Sequence, residues 1–301
     1  METMRKIRVG AVSYLNTKPL IYGLEQGLGA DRIELSDDVP SVLAGRMARG
    51  EIDVALLPVI ELARMPDLEI VPGLGITTFG PSRSVLLVSR VPIPSIKRVA
   101  LDGESRTSNA LAQLLFAEVW GASPEFEMGP LALDDALKDF DAVVRIGDKA
   151  LFESPPAGLE IHDLGEVWTR ASGLPFVFAA WTARPGVVDR EIYRILHESR
   201  RRGVKVIDRI AEGFHWNGYH DPALVRGYLM EHIQYRLGAA EVQAMKRFLA
   251  AAERLNLVDR VPEIRLALRR WTSCHEIASR QERTEVSPVE VERESHVTDQ
   301  T

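Results

Sequence analysis

Small polar and charged residues in this chain gather next to apolar segments that have the composition of buried strands. Three such groups are Ser13, Tyr14 and Asn16 after residues 7–12, Arg83 and Ser84 at the start of residues 84–89, and Ser105, Arg106, Thr107 and Ser108 after residues 99–102. Ligands of open α/β sheets bind outside the carboxyl ends of the strands. Hydroxyl, amide and guanidinium groups at such an edge predict a cleft that binds a small carboxylate.

The third group has the chemistry of an anion site, because it precedes a predicted helix over residues 108–120. Backbone N–H groups at a helix N-terminus are free to donate, and the helix dipole favours negative charge there. A plain N-cap needs one hydroxyl, whereas Ser105, Thr107 and Ser108 supply three. Asp148 lies at the end of another predicted strand, 141–148, where the sequence leaves open a helix cap or a functional carboxylate.

The segments around these groups alternate between strand and helix patterns. Strands are predicted at 7–12, 33–36, 52–58, 84–89, 99–102, 141–148 and 175–183, and helices at 39–50, at 108–120 and repeatedly from 189 onward. This alternation is typical of βαβ units and a largely parallel sheet. Asp221 followed by Pro222 predicts a helix that starts with an N-cap and a proline in its first turn.

Pro92 and Pro94 indicate where the chain crosses into a second lobe. We therefore predict a first lobe from residues 1–89, a second lobe from residues 90–182, and a helical return to the first lobe over residues 183–271. Two crossings, 88–92 and 179–184, would then form a hinge. Residues 272–301 are polar and lack periodicity, which predicts a disordered tail.

Composition and charge argue against several classes of function. The net charge of −6 gives no support for nucleic-acid binding. Neither a signal peptide nor an apolar run of about 20 residues is visible, so we expect a cytoplasmic protein with no membrane partner. Residues 73–80 lack dinucleotide-binding spacing, and His215 and His220 have no clustered acid or thiol nearby. We therefore expect no cofactor and no metal.

The same segments resemble the chorismate dehydratases of the futalosine route to menaquinone. The similarity lies in residues 12–20 (Val-Ser-Tyr-Leu-Asn-Thr-Lys-Pro-Leu), 80–89, 105–108 (Ser-Arg-Thr-Ser), 146–151 (Ile-Gly-Asp-Lys-Ala-Leu) and 173–181, in the expected order. It extends over roughly residues 5–270. The sister enzyme of that pathway, which makes a dihydroxynaphthoate, carries a Cys/Pro/Asn-type motif where this chain has Ser-Tyr-Leu-Asn.

The resemblance implies an α/β, two-lobed fold of the periplasmic-binding-protein-like type II class, with the substrate in a cleft between the lobes. It also implies that chorismate is converted to 3-[(1-carboxyvinyl)oxy]benzoate with loss of water. The expected substrate contacts are Ser13, Tyr14, Arg83, Ser84, Ser105, Arg106, Thr107 and Ser108. Asn16 is expected to orient the leaving hydroxyl or a carboxylate, since an amide has no useful pKa. The base is then either the substrate's own enolpyruvyl carboxylate or Asp148.

A second function fits the same residue types: a carboxylate-binding protein or sensor without catalysis. No signal peptide for transport and no helix-turn-helix segment for repression precede the first strand, which favours the enzyme.

If the lobes close over substrate, at least one of Trp168 and Trp181 is expected to change environment. The sequence does not indicate an oligomeric state.

Overall fold

The structure, a computed structural model, describes residues 5–130 and 132–268. The strands in this part of the chain are β1 (Ile7–Val12), β2 (Ile33–Asp38), β3 (Val54–Pro58), β4 (Glu69–Thr78), β5 (Val85–Ser89), β6 (Arg98–Leu101), β7 (Glu125–Met128), β8 (Ala142–Ile146), β9 (Glu160–Asp163), β10 (Phe176–Ala183) and β11 (Arg265–Leu266). The helices are α1 (Lys18–Glu25), α2 (Pro40–Ala48), α3 (Glu61–Arg64), α4 (Arg106–Leu115), α5 (Leu133–Asp139), α6 (Gly147–Phe152), α7 (Leu164–Ser172), α8 (Arg190–Lys205), α9 (Ile207–Gly213), α10 (Pro222–Gly227) and α11 (Ala239–Arg254). The tail predicted to be disordered, 272–301, lies outside the described residues.

These strands form two sheets. The six-stranded sheet has the order β11-β4-β10-β3-β1-β2, and the five-stranded sheet has the order β7-β6-β8-β5-β9. β1 is parallel to β2 and β3, and β6 is parallel to β7 and β8. β10 and β5 each run antiparallel to both of their neighbours. Both sheets are therefore mixed, and the prediction of a largely parallel sheet holds only for the βαβ units.

The chain passes between the two sheets at places other than the predicted ones. β5 belongs to the five-stranded sheet, so the first crossing precedes it, at residues 79–84, and does not follow it at 88–92. β10 lies wholly in the six-stranded sheet, so the return crossing is 164–175, which contains α7, and not 179–184. The assignment of residues 84–89 to the first lobe and of 176–182 to the second is wrong at these strands. Hydrophobicity alone does not distinguish two apolar strands that are buried in different sheets.

Both crossings are held by one carboxylate. The Asp163 side chain accepts from the backbone N–H of Ser82 (3.0 Å) and of Arg83 (2.6 Å) in the first crossing. It also caps α7 in the second crossing by accepting from the N–H groups of Gly165 and Glu166. Arg83 adopts a φ of +60°, which a residue with a Cβ rarely does. The Asp163 bonds hold this turn in place.

The loop that follows β1 is positioned by the packing of α1 against α8. The Ser199 hydroxyl on α8 donates to the Leu20 carbonyl (2.8 Å) and accepts from the Leu24 N–H (3.2 Å) of α1. A Cβ at Gly203 would overlap the backbone of Pro19, so the two helices approach as closely as their backbones allow. The long helix predicted from residue 189 thus anchors the first turn of α1, directly after the candidate residues Ser13–Asn16.

Several local predictions are confirmed. Asp221 caps α10 by accepting from the Leu224 N–H (2.9 Å), with Pro222 in the first helical turn. α11, in the region predicted to be helical, buries Met245, Phe248 and Leu249. All five residues of β3 are buried, as expected for a strand covered on both faces. No helix in the described ranges is long and apolar enough to cross a membrane, and the cytoplasmic location stays a prediction.

Candidate active site

A cavity lies between the two sheets, where the ends of strands from both meet. Its polar lining consists of Tyr14, Asn16, Ser84, Ser105 and Ser108, and its apolar lining includes Val12, Pro58, Ile76, Ile146 and Phe178. Five of the ten residues predicted to form the site thus line one cavity, although they come from three separate segments of the chain. The apolar wall suits a ring, and the hydroxyls and amide suit its polar substituents.

The loop after β1 turns its four residues in different directions. Ser13 is exposed, and its backbone N–H donates to the Asp38 carbonyl (3.1 Å). Leu15 is fully buried, and its N–H donates to both oxygens of the Asp148 carboxylate (3.1 and 3.2 Å). Tyr14 and Asn16 therefore face the cavity on either side of a fixed Leu15.

The three hydroxyls at the start of α4 separate into two roles. Ser105 is the N-cap: its oxygen accepts from the Ser108 N–H (3.3 Å) and donates to the Ser108 hydroxyl (3.0 Å), and both residues line the cavity. Thr107 does not line it. Its hydroxyl accepts from the Ile60 N–H (3.1 Å), at the start of α3 on the other sheet. Successive helical residues are about 100° apart around the axis, so Thr107 faces away from the side shared by Ser105 and Ser108.

The two candidate arginines also lie outside the lining. Arg83 is exposed in the first crossing. The Arg106 guanidinium forms an ion pair with Glu61 (2.9 Å), whose side chain is 3% exposed. Because the Arg106 guanidinium neutralises this buried carboxylate, Arg106 has a structural role. The residues that line the cavity therefore offer hydroxyl and amide groups but no guanidinium.

Asp148 lies in the first turn of α6, behind the Tyr14–Asn16 loop, and is not part of the cavity wall. It is 6% exposed. Burial raises the pKa of this carboxyl to about 6, although the hydrogen bonds from the Leu15 N–H and the charge of Lys18 oppose the rise. The carboxylate joins the start of α6 to the loop after β1, and so links the two sheets next to the cavity.

A charged network closes one side of the cavity. The Tyr14 hydroxyl donates to Glu104 (3.0 Å), and the Lys149 ammonium pairs with Glu104 (3.1 Å) and with Asp102 (2.7 Å). Burial and the charge of Glu104 raise the pKa of Tyr14, so its hydroxyl stays protonated. Gly147 adopts a φ of +67°, and a Cβ there would lie 3.1 Å from the Tyr14 ring. Only glycine combines this backbone with so close an approach.

Tyr228, which is not among the predicted site residues, lies behind the cavity in the π-helical turn Tyr228–His232. Its hydroxyl donates to the Ser84 hydroxyl (2.8 Å) and accepts from the Asn16 amide nitrogen (3.1 Å). The side chain is 2% exposed, and burial raises its pKa above the ordinary value. No motif surrounds Tyr228, so only the tertiary fold shows its contact with residues far away in sequence.

The two tryptophans expected to report closure are buried. Trp168 and Trp181 are 2% and 0% exposed in the core, which does not favour the expectation that one of them reports closure. Trp216 instead stacks on Phe152 at the end of α6 (5.7 Å between ring centroids). No group of three or more His, Cys, Asp or Glu side chains within residues 5–130 and 132–268 is arranged to hold a metal ion.

A family model described as menaquinone biosynthesis matches residues 7–254 of the chain. A chorismate dehydratase from Thermus thermophilus is 30% identical over 267 residues, which cover 82% of this chain and 96% of the relative. A chorismate dehydratase from Campylobacter jejuni is 30% identical over 254 residues, which cover 82% of this chain and 98% of the relative.

Solved structures of the same architecture are more distant in sequence. Protein AF1704 from Archaeoglobus fulgidus superposes with a TM-score of 0.67 at 19% identity, covering 84% of this chain and 98% of that one. The alkanesulfonate-binding protein SsuA from Xanthomonas axonopodis, bound to MOPS, has a TM-score of 0.58 at 15% identity, covering 85% and 94%. A Candida albicans protein with the generic periplasmic binding protein fold has a TM-score of 0.54 at 12% identity, covering 88% and 98%. The fold is thus periplasmic-binding-protein-like, as predicted.

Proposed function

Because this chain belongs to the menaquinone-biosynthesis family, we propose that it is a chorismate dehydratase, a hydro-lyase that forms 3-[(1-carboxyvinyl)oxy]benzoate and water. The observation that carries the proposal is the 30% identity to two chorismate dehydratases, which extends over 82% of this chain in each case. The matched region contains every residue that lines the cavity.

The reaction is an elimination that makes the ring aromatic. The ring carbon that bears the enolpyruvyl ether loses its proton, the C–H electron pair forms the new double bond, and the neighbouring carbon loses its hydroxyl group. The hydroxide and the proton together make water, so no oxidant or reductant is needed. Aromaticity supplies the driving force, and the protein has to hold the ring, its carboxylates and its hydroxyl in a reactive geometry.

The cavity provides donors for carboxylates without a cationic side chain. Ser84 offers a hydroxyl from one side, and Ser105 and Ser108 offer hydroxyls beside the N-terminus of α4 from the other. Helix N-termini favour anions through their free N–H groups and dipole. Of the predicted contacts, we propose that these three serines bind the carboxylates, whereas Arg83, Arg106 and Thr107 shape the wall behind them.

The position of Asp148 favours the substrate's own enolpyruvyl carboxylate as the base. The Asp148 oxygens accept from the Leu15 N–H and lie behind the loop, whereas a base must reach the proton that it removes. Tyr14 is the one titratable residue in the cavity wall, and its raised pKa keeps it protonated. We propose that Asp148 positions the loop and that the substrate supplies the base.

Incubation of the purified protein with chorismate tests the function. We expect the benzoate product to accumulate with time to many molecules per protein, as measured by chromatography and mass spectrometry. Ser84→Ala should raise KM about 10-fold, since one hydrogen bond to a carboxylate is worth about 1.5 kcal/mol or more. Ser13→Ala is the matched control, because Ser13 is exposed and uses only its backbone N–H. Stoichiometric binding without product would indicate a sensor and refute the enzyme.

A further inference from the structure

Tyr228 holds two cavity residues from behind without lining the cavity itself. Its single hydroxyl contacts Ser84 (2.8 Å) and Asn16 (3.1 Å). Asn16 lies after β1 of the six-stranded sheet, and Ser84 lies directly before β5 of the five-stranded sheet. Both contacts are shielded from solvent at the Tyr228 hydroxyl, since Tyr228 is 2% exposed, and Ser84 is also 2% exposed. Buried hydroxyl groups in such a chain keep their hydrogen bonds, because an unmade bond there has a large cost.

The two hydrogen bonds of the Tyr228 hydroxyl indicate which atoms of Ser84 and Asn16 are left to face the cavity. The tyrosine has one proton, and it goes to the Ser84 oxygen. The Ser84 proton is then directed away from Tyr228, and Ser84 lines the cavity. In this arrangement the Asn16 amide nitrogen faces Tyr228 and donates to its oxygen (3.1 Å). The Asn16 Oδ1 atom is accordingly buried without a partner in the described part of the chain.

We propose that Tyr228 is a positioning residue that makes Ser84 a donor and Asn16 an acceptor toward the substrate. This inference rests on the proposed function. A donor at Ser84 suits a carboxylate, and an acceptor at Asn16 suits a hydroxyl that can donate, which chorismate has as its leaving group. The aromatic product has lost that hydroxyl. Tyr228 therefore selects the substrate over the product through the orientation of Asn16.

Tyr228→Phe removes the hydroxyl and keeps the ring. We expect kcat/KM for chorismate to fall about 10- to 100-fold, mostly in kcat, because the leaving hydroxyl is no longer oriented. The inhibition constant of the product should stay within about 3-fold, since the product lacks the hydroxyl that Asn16 orients and the Ser84 hydroxyl keeps its own proton. Tyr235→Phe is the matched control: Tyr235 is also buried, and its hydroxyl has no partner in the described residues. That variant should keep wild-type kinetics.

A double-mutant cycle separates positioning from simple structural support. If Tyr228 acts through its two partners, adding Tyr228→Phe to the Ser84→Ala and Asn16→Ala double variant should change kcat/KM by less than about 3-fold. The triple variant also leaves no hydroxyl with a missing partner, so it serves as the test if the single variant does not fold. Full activity of Tyr228→Phe, or equal losses in substrate and product affinity, would overturn the inference. A wild-type protein that makes no product would instead refute the proposed function.

Discussion

Replacing Asp148 by asparagine should make the folded protein less sensitive to pH. The carboxyl is buried and its pKa is raised from 3.8 to about 6 by burial. Because the folded pKa lies above that of the unfolded chain, the protonated carboxyl favours folding. This contribution is fully present below about pH 4 and is lost as the pH rises through about 6. An asparagine does not ionise, so the variant has no such loss.

The magnitude follows from the two pKa values. They differ by about two, and each pKa unit corresponds to 1.36 kcal/mol, so the ionised carboxylate lowers the free energy of unfolding by about 3 kcal/mol at pH 8. The free energy of unfolding of Asp148→Asn, relative to that of the wild type, should therefore rise by about 3 kcal/mol between about pH 4 and about pH 8. The change with pH is the informative quantity, because replacing a carboxyl by an amide adds a constant offset.

Urea unfolding followed by circular dichroism at several pH values measures this difference. Asp31→Asn is the control, because it makes the same change at an exposed position. A difference for Asp148→Asn that is flat, or that falls as the pH rises, would contradict the reasoning. The same variant also tests the mechanism. The asparagine oxygen can still accept from the Leu15 N–H, so turnover should persist at pH 8, whereas a catalytic base could not be replaced in this way.

Three other variants test single contacts. Thr107→Ala should lower the free energy of unfolding in urea by about 1 to 2 kcal/mol and leave KM unchanged, because the Thr107 hydroxyl accepts from the Ile60 N–H and lies outside the cavity. Ser108→Ala should instead raise KM about 10-fold in steady-state assays. The opposite pattern would contradict the different roles of the two residues. Gly147→Ala should destabilise the protein by about 1 to 2 kcal/mol, measured in the same way, because of its positive φ and the nearby Tyr14 ring. Trp216→Phe should reduce any change in tryptophan emission that the product causes, because Trp216 stacks on Phe152 at the end of α6 whereas Trp168 and Trp181 are packed in the core; an unreduced change would assign the signal to another residue, such as the half-buried Trp120.

The sequence was sufficient to place the residues whose position depends on local structure. Asn16, Ser84, Ser105 and Ser108 lie at strand ends or at a helix N-terminus, and the general geometry of α/β sheets brings such places together. Thr107 and Arg106 lie in the same segment but point elsewhere, because each step along a helix turns the side chain by about 100°. Helical phase could have separated them from Ser105 and Ser108 in advance.

The residues that could not be predicted are those whose role depends on distant contacts. Tyr228 is 212 positions from Asn16 in the chain, and no spacing rule connects them. Glu61 could not be identified as the partner of Arg106, since that pair joins helices of different sheets. The sheet of β5 was also beyond pattern reasoning, because a buried strand is equally apolar in either sheet.

The strand order has a consequence for how the chain emerges during synthesis. β10 lies between β3 and β4 in the six-stranded sheet, yet it follows β4 by about 100 residues, all of the five-stranded sheet included. β10 begins about 120 residues after β3 ends, so at about 5 to 20 residues per second the apolar edge of β3 waits about 6 to 24 s for its partner. Residues 85–163 of the five-stranded sheet are complete before that partner exists. During this interval the nascent chain carries the unpaired, fully apolar edge of β3, although every strand of the five-stranded sheet has been synthesised. An unpaired strand edge can pair with another chain, so aggregation is most favoured during this interval.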